Sequence, residues 1–137
     1  MWNNLFKSVN LLQKGLNAAW IRNAVIRNNI ANIETPNFRA SDVAFETHLS
    51  QALTQSEFRG TVTHPRHRAM GSGFVDLEAL SPRIVLRRGT QMRMDGNNVD
   101  IEAENVKLAQ NSLQYNALVE KMNSELRRLR MAITEGR

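Results

Sequence analysis

Apolar residues recur at alternating three- and four-residue steps at both ends of this 137-residue chain. Near the N-terminus the stripe runs Trp2, Leu5, Val9, Leu12, Leu16, Ala19, Asn23, Ile26, Ile30, Ile33. Near the C-terminus it runs Ile101, Asn105, Leu108, Ser112, Tyr115, Val119, Met122, Leu126, Leu129, Ile133. The alternation averages about 3.5 residues, the period of a coiled-coil seam, and predicts a long helix at each end. Asn23, Asn105 and Ser112 interrupt the seams, and a buried polar seam residue sets register at some cost in stability. The pattern predicts a mainly α chain whose terminal helices form an antiparallel coiled-coil-like pair. The same stripes are then available to neighbouring chains.

The first helix is expected from about Leu5 to Ile33, roughly 43 Å of rod. Pro36 stops it, because proline disfavours the helical region for the preceding residue, here Thr35. Leu11, Ala18, Ile21 and Val25 form a second apolar line on another side of this helix, and Trp20 flanks the seam. One partner helix cannot cover both lines. Ser41 to about Leu53 is expected as a shorter helix, with Ser41 as N-cap and Phe45, Leu49 and Leu53 on one face.

From Gln55 to Asn98 the periodicity fails, and Gly60, Pro65, Gly71, Gly73, Pro82, Gly89 and Gly96 punctuate a stretch of loops with at most one hairpin. Arg83–Arg88 is the strand, with Ile84 and Leu86 on one face and Val85 on the other. Gly71-Ser72-Gly73 is a flexible spot, and much of this middle is expected to be ordered by contact with other molecules. Asp95-Gly96-Asn97-Asn98 is a turn and Asp100 the N-cap of a last helix of roughly 50 Å. Glu102 and Glu104 in its first turn and Arg127, Arg128 and Arg130 near its end suit the helix dipole. Gly136 lies past its last periodic residue. The organisation read from this is an assembly helix over residues 1–35, an irregular segment over 36–98 and a second assembly helix over 99–137. The two terminal helices make one domain.

Composition narrows the function. Cysteine is absent, which excludes disulfides, thiolate metal sites and cysteine nucleophiles. Nothing reaches the roughly 18 consecutive apolar residues of a membrane span, and the first residues lack the order of a cleaved secretory signal. The formal charge is +5, which permits an anionic partner, but only Arg87-Arg88 and Arg127-Arg128 are adjacent arginines, so the charge reads as solvated faces. Asparagine crowds the first third at Asn3, Asn4, Asn10, Asn17, Asn23, Asn28, Asn29, Asn32 and Asn37. Its amide competes for backbone groups, so the first helix is weak alone and depends on packing. The terminal pair is therefore expected to need neighbours to hold its form.

At the end of the first helix stands Asn28-Asn29-Ile30-Ala31-Asn32-Ile33-Glu34-Thr35-Pro36-Asn37-Phe38. This resembles, in order and spacing, the N-x-A-N-x-x-T-P-x-[YF] signature of bacterial flagellar rod and hook proteins. Phe38 to Glu46, Thr63-His64-Pro65-Arg66-His67, Asp95 to Asp100, Leu108 to Tyr115 and Leu129 to Ile133 are similar to proximal-rod members of that family. The resemblance covers both ends and is patchy from Arg66 to Arg93, and Ile33-Glu34 replaces small or acidic residues. It implies an axial structural subunit of the flagellar basal body, polymerising through its terminal helices into a tube that transmits torque and serves as export channel. The implied partners are copies of itself, other rod subunits, the membrane-ring or export-gate adaptor at the rod base, and the flagellar type III export apparatus. The implied location is the basal body in the cell envelope and periplasm, reached without a cleaved signal.

From the residues themselves, Asn28 and Asn32 sit one turn apart and can hydrogen-bond a neighbouring backbone, while Ala31 allows close approach. Thr35-Pro36 starts an extended exit that Phe38 can anchor. Simple solvated helix termination is the plainer reading of these asparagines.

Other functions fit less well. His64-Pro65-Arg66-His67 invites a metal reading, but zinc takes three or four protein ligands and no set accompanies these two, so no metal and no cofactor are expected. No nucleophile and base pair, phosphate-cradling loop or carboxylate pair stands out, so no enzyme is expected. The alternatives are a basic helical nucleic-acid-binding protein and an adaptor of another secretion machine. The former places a dense basic block against its zipper, whereas Arg127-Arg128-x-Arg130 is short and shares its turn with seam residues Leu126 and Leu129. Nucleic acid is therefore not the expected partner.

Overall fold

A computed structural model of the chain describes residues 6–57, 80–87 and 94–134. In chain order these form helix α1 (Lys7–Ala31), strand β1 (Ser41–Ala44), helix α2 (Glu46–Glu57), strand β2 (Arg83–Leu86) and helix α3 (Ile101–Thr134). At the standard rise α1 is about 37 Å long and α3 about 51 Å. They run antiparallel. Asn29 meets Glu104 near one end, the Asn111 amide reaches the Ala19 carbonyl at 2.9 Å, and Leu118 sits over Gly15. Both terminal helices of the mainly α fold are therefore present and paired antiparallel.

The second apolar line of α1 has a different cover. Ala18 and Val25 pack with Val43 of β1 and with Phe45, and Ile21 and Leu49 flank the cluster. Burying the two lines thus takes α3 on one side and the β1–α2 segment on the other.

That segment departs from expectation. Ser41–Ala44 is a strand, and the short helix starts only at Glu46. Ser41 does not cap a helix, because both its peptide groups are held by one side chain of α1. The Asn29 amide donates to the Ser41 carbonyl at 2.8 Å, and the Ser41 N–H donates to Asn29 Oδ1 at 3.0 Å. Val43 and Phe45 point inward at the two-residue period of a strand. Further on, Ala52 is buried and Leu53 exposed, reversing the expected inward position of Leu53.

β2 forms where expected, and its partner is β1, antiparallel, with Asp42 opposite Val85 and Val43 opposite Ile84. The pair is not a tight hairpin, since α2 lies in the connection. Beyond Ser41 and Leu86 the Arg87 N–H still donates to the Ala40 carbonyl at 2.9 Å. The Asn98 amide occupies the other rung, accepting from the Ala40 N–H at 2.7 Å and donating to the Arg87 carbonyl at 3.3 Å.

The helix ends follow local chemistry. Asp100 caps α3, its Oδ1 accepting from the Glu102 and Ala103 N–H groups at 3.0 and 3.2 Å. Arg127, Arg128 and Arg130 lie short of the last turn, which carries no basic residue. α1 stops at Ala31 rather than Ile33, ahead of the turn that contains Pro36. Among the described residues no helix is long and apolar enough to cross a membrane. Trp2, Leu5, Gly60, His64, Pro65, Arg66, His67, the Gly71–Gly73 spot, Gly89 and Gly136 lie outside the described residues.

Candidate assembly site at the end of the first helix

The seams divide into inner and outer parts. On α1, Ala19 and Ile26 are buried, while Val9, Leu12, Leu16, Asn23, Ile30 and Ile33 are half-buried. On α3, Leu108, Val119, Met122 and Leu129 are half-buried, but Ile101, Tyr115, Leu126 and Ile133 are exposed. The polar seam residues Asn105 and Ser112 are exposed and set no buried register. Glu104 and Asn111, one position earlier, are the buried residues of α3. The face α3 turns to α1 is thus rotated by about one residue from the apolar stripe. Part of that stripe remains open.

The motif residues of α1 separate in the same way. Asn28, Ala31, Thr35 and Pro36 are exposed, Ile30, Asn32 and Phe38 are half-buried, and Asn29 is fully buried. Asn32 works within its own chain: its N–H and its amide both donate to the Asn28 carbonyl, the amide at 2.8 Å, and Thr35 Oγ1 donates to Asn32 Oδ1 at 3.2 Å. Two of these bonds close the last turn on the Asn28 carbonyl, and the third ties Thr35 to the Asn32 side chain. The backbone then turns through Asn37, which has φ 58°.

Residues from the far half of the chain complete this exit. Asn97 is fully buried, and its Nδ2 donates to the carbonyls of Asn32, Ile33 and Thr35 at 3.0, 2.9 and 3.0 Å. Its Oδ1 accepts from the Val99 N–H at 2.8 Å. The Asp95–Gly96 turn packs against Asn37, whose N–H donates to the Asp95 carbonyl at 3.0 Å. Gly96 has φ 79°, a backbone conformation that favours glycine, and a Cβ there would stand 2.6 Å from Asn37 Oδ1 and push that side chain aside.

Asn29 joins the exit to a charged cluster. Besides holding Ser41, its Nδ2 donates to Glu104 Oε2 at 3.0 Å. Glu104 Oε1 accepts from Arg87 Nη2 at 2.9 Å and from Lys107 Nζ at 3.1 Å. Arg87 also grips Asp42 through two parallel bonds of 2.9 Å, and Lys107 lies 3.5 Å from Asp42. Two carboxylates thus balance two cations from β1, α3 and the end of β2, with Asn29 of α1 as a neutral donor.

Burial alone would raise the Glu104 carboxyl, but hydrogen bonds from Asn29, Arg87 and Lys107 hold it below its ordinary value. Asp42 follows the same logic: burial pushes it up, and the bond and charge of Arg87, with Lys107, bring it down. Arg87 is held more firmly protonated, chiefly by its bond to Asp42.

Sequence reading singled out the asparagine motif but missed most of its partners. In sequence Glu104 is one of two acidic residues suited to the helix dipole, yet its side chain is wholly enclosed. Asn97 and Asn98 carry only the signal of a turn. Asp42, Arg87 and Lys107 carried no signal beyond their charge. Two consecutive amides between a turn and an N-cap were the one available hint.

With Asn29 and both Glu104 oxygens bonded inside the chain, this cluster is a fastening rather than a reaction site. Among the described residues no group of three or more histidines and carboxylates is placed to hold a metal. The fold and the cluster define a helical structural protein, its long helices pinned at one end and part of its apolar stripe uncovered.

No family model matches the chain. It is 39% identical over 126 residues, covering 92% of each chain, to the flagellar basal body rod protein FlgB of Bacillus subtilis. It is 34% identical over 118 residues to FlgB of Borreliella burgdorferi, covering 85% of this chain and 87% of that one. Over 144 residues and 99% of each chain, it is 27% identical to FlgB of Escherichia coli. The chain belongs to the FlgB family of flagellar basal-body rod proteins.

Proposed function

We propose that this chain is a structural axial subunit of the proximal rod, polymerising through α1 and α3 into a tube that transmits motor torque and serves as an export channel. The observation that carries the proposal is the apolar stripe of α3. Ile101, Tyr115, Leu126 and Ile133 keep a seam period but are exposed in the single chain. Large exposed apolar residues in register along a helix mark a surface made for a partner. Copies of the same chain and other rod subunits fit that surface, and the membrane-ring or export-gate adaptor at the rod base would receive the lowest copies.

Asn28 and Ala31, with Thr35 and Pro36 the exposed motif residues, stand beside the fastened exit where a neighbour can meet them. Asn29 and Asn32 serve that contact by shaping the turn that presents them. Export through the flagellar type III apparatus into the cell envelope and periplasm goes with this role, as does a terminal pair that gains order on assembly. In this reading residues 1–35 and 99–137 are the assembly helices and 36–98 the segment between them.

The test is replacement of the chromosomal gene by Asn28→Asp or Ala31→Leu variants in a motile host. Normal export with loss of isolated rods and of swimming is the expected result. Full motility with intact basal bodies in both variants would remove the assembly role.

A further inference from the structure

A line of residues seven apart on α3 meets α1. Glu104 takes a bond from Asn29, Asn111 reaches the Ala19 carbonyl at 2.9 Å, and Leu118 lies over Gly15. Glu125, next at the same spacing, is half-buried and pairs with Lys121 and Arg128 of its own helix. Leucine is the only apolar side chain of the four. The line one residue further on, Ser112, Val119, Leu126 and Ile133, is mostly apolar, yet Leu126 is 48% and Ile133 66% exposed. Leu108, Tyr115, Met122 and Leu129 run between the two lines and border both.

Apolar burial alone favours turning α3 about its axis until the second line packs on α1. Such a turn also suits Asn111. It is buried, its Nδ2 donates to the Ala19 carbonyl, and its Oδ1 has no hydrogen-bond partner among the described residues. An enclosed amide oxygen without a partner typically destabilises by more than one neutral hydrogen bond gains, and the turn carries Asn111 toward water. Ser112 Oγ donates to the Leu108 carbonyl of its own helix at 2.9 Å, so its hydroxyl stays bonded when the turn encloses it. Glu104 opposes the turn, because Asn29, Arg87 and Lys107 hold it in place. Its partners from outside α3 each have a second hold, Asn29 on Ser41 and Arg87 on Asp42. Glu104 therefore swings out without leaving either of them unpaired.

We infer that the helix pair has two packings and that the Glu104 cluster is the latch between them. Latched, α3 presents Glu104, Asn111 and Leu118 to α1 and keeps Leu126 and Ile133 outward. Released, it turns by about one residue and lays Ser112, Val119, Leu126 and Ile133 on α1, closing its own stripe. Packed helix contacts have discrete alternatives of this kind rather than a continuum. The inference rests on the proposed role as a rod subunit only for the use of the open stripe. The latch itself is a property of the single chain.

The chain has no cysteine, so introduced thiols report without background. A Cβ at residue 15 stands 3.5 Å from Leu118. Gly15→Cys is therefore combined with Leu118→Cys in one full-length chain and with Val119→Cys in another, and disulfide closure is timed in dilute solution. The pair at 15 and 118 is expected to close first. Adding Glu104→Ala or Glu104→Gln is expected to level or reverse that order while the far-ultraviolet helix signal stays. Adding Asn111→Leu as well is expected to restore it, because the line facing α1 then gains a leucine. An unchanged order in both Glu104 variants would overturn the latch, and so would loss of the helix signal in both, since release leaves the helices paired. An order that Asn111→Leu does not restore would overturn the second packing. Failure of the rod-subunit reading is separate: this chain would then be missing from basal bodies of the wild type, with the order of closure unaffected.

Discussion

Replacing Glu104 by glutamine tests whether the polar cluster fastens the two halves of the chain. The carboxylate is wholly enclosed and takes three hydrogen bonds, from Asn29, Arg87 and Lys107. Removing one partner of a buried ion pair costs about 3–5 kcal/mol when the remaining charge is trapped. Here Arg87 keeps its paired bonds to Asp42, and the side chains of Arg87 and Lys107 are 27% and 37% exposed, so both relax toward water. The expected loss for Glu104→Gln is therefore smaller, about 2 kcal/mol, and about 3 kcal/mol for Glu104→Ala, which also leaves a cavity. Urea unfolding followed by far-ultraviolet circular dichroism at pH 7, at unchanged slope, measures it.

The dependence on pH sharpens the test. Glu104 and Asp42 have folded pKa values lowered from the ordinary carboxylate range. Their contribution is fully present above the unfolded value, about 4, and is lost as pH falls through the lower folded values. Arg87 is shifted upward by the same contacts, so it stays protonated throughout this range, and the loss in acid comes from protonation of its carboxylate partners. The gap between wild type and Glu104→Gln should hold steady from pH 7 to 5 and shrink below about pH 4. A variant as stable as wild type at pH 7, or a gap that persists undiminished to pH 2, would refute the argument.

Two further substitutions probe the exit of α1. Asn97→Ala takes the donor from three carbonyls at the helix end and should cost about 2 kcal/mol, read by urea unfolding; a loss within experimental error would show that Asn97 is not the clamp. Gly96→Ala places a Cβ against Asn37 at positive φ, and should lower stability by more than the roughly 1 kcal/mol typical of glycine replacement in a left-handed turn. Pairing it with Asn37→Gly should recover the steric part, and the absence of any recovery would contradict the close contact.

Much of the architecture was legible along the chain. The three- and four-residue steps located α1 and α3 to within a few residues, two apolar lines on α1 required two covers, and Arg83–Leu86 and the Asp100 cap stand where local chemistry put them. Ser41–Ala44 was misread because Phe45 and Leu49 share a helical spacing, while the strand before them is held by Asn29 from outside the segment. The asparagine motif was visible as a motif. Its fully buried residue was not distinguishable from its exposed neighbours, since Asn28 and Asn29 differ only in which way the helix is turned.

Periodicity by itself determined that two long amphipathic helices exist and which residues share a side of each. Tertiary structure alone decided the rotation of α3 about its axis. The side facing α1 is centred on Glu104 and Asn111, so half of the apolar stripe is left outside. The reason is physical: apolar burial is non-directional and tolerates small rotations, whereas an enclosed carboxylate is stable only where specific donors meet it. Those donors come from residues 29, 87 and 107, and no stretch of sequence read locally brings them together.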